Sequence, residues 1–122
     1  MKPLIALLLT ATSALALDVP SGQPVTLQEV LIDEVGAETW LRFRFIAPEV
    51  AAAEDYEVTA QDMMHLCEQL ALPYIAEYAL SGDVIVVSFA DRETEFGVAT
   101  PEATQVFEAF RPDGAACIWE LL

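Results

Sequence analysis

Apolar residues recur at helical spacing most clearly in TAQDMMHLCEQLALP (59–73). Ala60, Met63, Cys67 and Leu70 fall on one side of a 3.6-residue period, and Met64 and Ala71 widen that stripe to a core-facing side. Thr59 is placed to cap this helix, with Asp62 in the acidic position three residues on. Pro73 is expected to end it, because proline has no amide hydrogen and disfavours helical geometry at Leu72. Elsewhere the period changes to two. VTLQEVLI (25–32) predicts a first strand whose alternation slips around Gln28 and Glu29, which implies a bulge. EVGAE (34–38) predicts a turn centred on Gly36. Residues 39–46 then alternate cleanly, with Leu41, Phe43 and Phe45 on one face and Trp40, Arg42, Arg44 and Ile46 on the other. The two strands form a hairpin.

After a loop over 47–58 and the helix, residues 74–80 fit either a helix or a short strand. VIVVSF (84–89) is apolar and β-branched on both faces, the mark of a central strand. DRETEFG (91–97) reads as a charged loop. Thr100, Pro101 and Glu102 predict a second helix, in the order cap, first-turn proline and first-turn acid. Ala103, Val106, Phe107 and Phe110 supply its core stripe, and Pro112, Asp113 and Gly114 its stop. A last strand over 117–121 puts Cys117, Trp119 and Leu121 on one side. The order ββ-α-(β)β-α-β predicts an α+β fold: a small antiparallel or mixed sheet with two helices packed on one face.

The first 16 residues stand apart. Met1, Lys2 and Pro3 are followed by an apolar run over 4–9 and by small residues ending Ala14-Leu15-Ala16, the A-x-A pattern of a signal-peptidase site. A cleaved signal over 1–16 and a single domain over 17–122 are expected. The run is too short to cross roughly 30 Å of hydrocarbon. Lys2 is the only lysine, so its loss takes the net charge from −15 to about −16. Such a chain repels nucleic acid and, once the signal is gone, anionic membranes. It suits solubility or a basic protein partner in the cell envelope. Two cysteines in an exported chain, Cys67 and Cys117, are expected to pair. That bridge closes a loop of about 50 residues and stabilises by roughly 4 kcal/mol on the chain-entropy model. No C-x-x-C supports a redox role.

Candidate chemistry is sparse. His65, the one histidine, lies on the polar side of the first helix near Asp62 and is a candidate polar site. It has no H-x-x-x-H partner for a metal, and its position two residues from Cys67 points the two side chains apart. Arg42 and Arg44 share a strand face and are candidates for binding an anion. The competing reading is cross-strand pairing with Glu29 or Asp33. Asp91, Glu93 and Glu95 do not follow the EF-hand calcium spacing. Ser81 and Ser88 lack a G-x-S-x-G setting, and Trp40 and Trp119 are expected to pack in the core. With no catalytic residue, metal or cofactor indicated, the sequence points to a periplasmic or secreted, non-catalytic module that binds a protein or modulates an envelope assembly. The alternatives are a small-ligand or cation binder, or a small enzyme using His65 with a nearby carboxylate.

Six blocks carry a resemblance together: GQPVTLQEV (22–30), RFRFIAP (42–48), DMMHLCEQLALP (62–73), DRETEFG (91–97), PEATQVFEAFR (101–111) and CIWE (117–120). In this order they are similar to the small exported proteins of marine-type alphaproteobacteria grouped as domain of unknown function 6497. The resemblance spans essentially the whole chain after the leader. It implies a signal peptide and cysteines at the positions of Cys67 and Cys117, and it implies no activity. Some members carry the label acetolactate synthase, but this chain has none of the thiamine-diphosphate-binding pattern that such chemistry needs.

Overall fold

Alternation and turn chemistry set the first hairpin. In the computed structural model, which describes residues 15–121, β1 (Thr26–Val35) pairs antiparallel with β2 (Glu38–Ile46). Gly36 turns the chain at φ 62°, a left-handed value that glycine adopts without a Cβ penalty. The register slips by one residue between Leu27 and Glu29, which places the expected bulge at Gln28. Ala14 of the predicted signal junction lies outside the described residues, and Ala16 is exposed.

A 3-10 turn (Val50–Ala52) leads into the helix. Its cap is Asp55, whose carboxylate accepts from the Glu57 amide, and not Thr59, which sits one turn inside and is buried. The helix does not stop at Pro73. Helix α1 (Tyr56–Leu66), a π-helical turn (Cys67–Ala71) and α2 (Leu72–Glu77) run on as one 22-residue helix. The physical reason is the wide turn. The Leu72 amide reaches back five residues to the Cys67 carbonyl, and this loosening accommodates a proline that the regular ladder would exclude.

The helix carries the chain across to β3 (Val84–Ala90), which lies parallel to β2 as such a crossover requires. β3 is the middle strand of five and is buried along almost its whole length. The second predicted helix is instead β4 (Gln105–Asp113), antiparallel to β3. Two contacts explain this. The backbone of Thr104 is held to Asp91 in both directions, Asp91 N–H to Thr104 O at 3.0 Å and Thr104 N–H to Asp91 Oδ1 at 3.2 Å. β3, too, needs a partner for its second row of backbone groups, and Val106, Phe107 and Phe110 are good strand residues. The cap signal at Thr100 makes a single turn, with the Ala103 amide on the Thr100 carbonyl. Among the described residues one helix therefore covers the sheet, not two. β5 (Ala116–Trp119) closes the order β1-β2-β3-β4-β5, an α+β fold on a mixed sheet.

The core lies between the helix and one sheet face. Leu41, Phe43, Phe45, Ile85, Val87, Phe89 and Phe110 meet Met63, Leu66, Cys67 and Ala71, all essentially without solvent exposure. Cys67 is joined to Cys117 of β5 by a disulfide, with the Cα atoms 6.3 Å apart. Beside it, the Cys117 amide donates to Glu68 Oε2 at 2.9 Å. At the other edge, Leu17 donates its amide to the Val25 carbonyl at 2.9 Å. Asp62, fully buried, accepts from the Ser21 amide (2.9 Å), the Ser21 hydroxyl (2.5 Å) and Gln23 Nε2 (2.8 Å).

Candidate functional site

Because the one long helix among the described residues covers one face, the other face of the sheet is left to side chains and one loop. Register brings Arg42, Val86 and Ala109 side by side across three strands, with Trp40 beside Val84 and Ser88 beside Phe107. Ile118 of β5 joins the same face beside Arg111. Val84, Val86 and Ala109 form a small second apolar cluster with Trp40 against it. Around it, Phe107, Ile118, Phe96 and Val98 remain 45–55% exposed. A partly apolar stripe, interleaved with Arg42, Arg44 and Arg111, thus crosses the sheet at its surface.

The segment between β3 and β4 folds over one end of this stripe. The Asp91–Thr104 pairing closes its base. Asp91 also pairs with Arg92 at 3.1 Å, and that guanidinium holds its carboxyl below the usual range. Phe96 is carried over Arg42 and Arg44, its ring centre 5.0 and 5.5 Å from their guanidinium carbons, and Trp40 lies 5.3 Å from Arg42. These are favourable cation–π placements. Between Phe96 and Val98 on one side and Phe107 on the other is a cleft of about 230 Å³ over Val86 and Ser88.

Both arginines are engaged in the cross-strand pairs that the strand alternation allows. Arg42 Nε donates to Asp33 Oδ2 at 2.9 Å. Arg44 donates to Glu29 and, through Nη2, to Thr94 Oγ1 at 2.9 Å. Gln28, the bulge residue, donates to the Thr94 carbonyl at 2.8 Å and so ties β1 to the same loop. At the far end, Arg111 bridges Glu120 (2.9 and 3.1 Å) and Glu38 (2.8 Å). The guanidinium of Arg111, then the Trp40 indole, holds Glu38 below the usual carboxylate range.

The oxygens of Asp62 are occupied by Ser21 and Gln23, and among the described residues no hydrogen bond joins it to His65. Among those residues, too, no group of three or more His, Cys, Asp or Glu is placed to hold a metal ion. A second depression, about 460 Å³ and wide open, lies between the turn at Ser21 and the start of the helix, beside Glu49, Glu54 and Asp55. Trp40 is half-buried, and Trp119 is 41% exposed while its ring centre lies 4.9 Å from that of Phe110. Both tryptophans are therefore less enclosed than their size suggests.

Phe96, Val98 and Phe107 are the site residues that periodicity missed. The signal was present in QVFEAFR (105–111), where Phe107, Ala109 and Arg111 alternate with Val106, Glu108 and Phe110. The sequence of the chain matches, over residues 4–122, the model of the Family of unknown function (DUF6497). The chain belongs to that family. No curated protein and no solved structure matches it. Membership in this family of unknown function carries no activity with it, so the functional reading rests on the geometry of the helix-free face.

Proposed function

We propose that this chain is an exported, non-catalytic module that binds another protein through the helix-free face of its sheet. The carrying observation is the asymmetry of the two faces. One is sealed by the helix and tied by the disulfide, while the other presents Phe96, Val98 and Phe107 to solvent around a cleft, and Ile118 further along the sheet. A contiguous apolar patch with a polar border is what a protein contact surface requires. The carboxylate of Asp62 is engaged by Ser21 and Gln23, which supports a structural role for it over an enzymatic one.

Export is supported by the leader pattern and by the cysteine bridge, which suits an oxidising compartment. No helix among the described residues is long and apolar enough to cross a membrane. Leu17, the first residue after the A-x-A pattern, already hydrogen-bonds to Val25. Intact mass of the protein recovered from the periplasmic fraction should lack about the first 16 residues. Full-length protein in the cytosol would sink the export reading.

Binding is tested by affinity recovery from the native envelope, comparing the parent with a Phe107→Ser, Val98→Ser double variant. Both side chains are half exposed, so the variant should stay folded with stability within about 1 kcal/mol of the parent. A protein retained by the parent and lost by the variant is the expected result. Equal recovery by both would place the working surface elsewhere.

A further inference from the structure

We infer that the partner is a basic protein segment that seats one apolar side chain in the cleft between Phe96 and Phe107. The inference rests on the reading of this face as a protein-binding surface and adds what the partner must look like. Its first support is charge. Among the described residues every arginine is already in an ion pair: Arg42 with Asp33, Arg44 with Glu29, Arg92 with Asp91, Arg111 with Glu38 and Glu120. No cation on this face is left to meet an acidic partner. The loop that walls the cleft carries Glu93, Glu95 and Glu102, all exposed and in no ion pair among the described residues. With a net charge of −15 behind them, these carboxylates attract a cationic surface and repel a second copy of this chain, a nucleic acid or an anionic membrane.

The second support is the shape and lining of the cleft. Its walls are Phe96, Val98 and Phe107, and its floor is Val86 and Ser88 beside Arg42 and Arg44, whose charges are met by Asp33 and Glu29. At about 230 Å³ it is smaller than the usual small-molecule site, which begins near 300 Å³. Its size suits one large apolar side chain. An anchor residue in a desolvated pocket, ringed by polar contacts, is the arrangement that concentrates binding energy at protein interfaces. Glu95 at the mouth supplies such a contact for a lysine or arginine flanking the anchor. The cation–π stacks hold Phe96 over Arg42 and Arg44, so one wall stands ready before the partner arrives.

The test places a benzophenone-bearing phenylalanine analogue at position 107 of the full chain in its native cell. The same analogue at Gln69, exposed on the helix, serves as control. After irradiation, mass spectrometry of the adduct should give a peptide from another protein, net basic, with an apolar residue at the attachment point. A synthetic copy of that peptide should bind the purified protein about tenfold more weakly when salt rises from about 0.05 to 0.5 M. Glu93→Gln with Glu95→Gln should weaken it to a similar degree. A neutral or acidic peptide, an adduct to a second copy of the chain, or binding indifferent to salt overturns the inference. A neutral or acidic peptide from another protein leaves the face as a binding surface, whereas adducts at position 69 alone, or none at 107, overturn both readings.

Discussion

Replacing Cys117 with Ser is expected to lower the melting temperature by roughly 15 °C. The bridge spans 50 residues of sequence and joins the edge strand β5 to the start of the π-turn. Closing a loop of that length stabilises by about 4 kcal/mol on the chain-entropy account. Here the gain is large against a total of only about 5–15 kcal/mol for an ordinary domain. Reductant should shift the parent by a similar amount and leave the variant where it is. Thiol titration of protein recovered from its native compartment and unfolded without reductant should find no free thiol. Two free thiols per chain would refute the bridge.

The second large effect is expected at Asp62. Its carboxylate accepts three hydrogen bonds from the segment before β1 and is shielded from water. Asp62→Ala removes all three acceptor contacts, and the donors of Ser21 and Gln23 are left to find water at the edge of the core. A loss of about 2–4 kcal/mol follows, because hydrogen bonds to a charged acceptor are among the stronger ones and their buried partners are costly to strand. Hydrogen exchange should locate the damage. The amides of Leu17 and Ser21 should exchange much faster in the variant, while those of β3 slow or quicken only with global stability. Asp62→Asn, which keeps one acceptor oxygen, should fall between parent and alanine. An alanine variant within about 0.5 kcal/mol of the parent would show that the segment is held by Val19 and Val25 alone.

Where local pattern and tertiary need agreed, the sequence was enough. The hairpin, its bulge, the central strand and the paired cysteines all follow from two-residue alternation, Gly36 and the placement of Cys67 and Cys117. It failed in two places where a neighbour overruled the local signal. Thr100, Pro101 and Glu102 are a strong helix start, yet β3 takes the residues after them as its partner. Pro73 is a strong helix stop, yet the wide turn before it lets the helix run on to Glu77. The candidate site suffered from the first of these. Read as a helix, 103–110 hides Phe107 in a core stripe; read as a strand, it turns Phe107 outward beside Ser88. Arg42 and Arg44 were legible as a shared face, whereas Phe96 above them was not, because a loop position has no period to betray it.

Glu68 also bears on how one edge of the sheet meets another strand. A sheet with free edges is a template for strand-by-strand growth into fibres, and β5 is such an edge. Its four residues offer few outward backbone groups, and the Cys117 amide is already taken by the Glu68 carboxylate. An incoming strand would have to displace a charged acceptor and then leave it without its donor. At the opposite edge β1 presents the exposed Glu34, so two copies meeting there bring like charges together. Both edges are therefore guarded against strand pairing while the exposed aromatic residues lie on an open face.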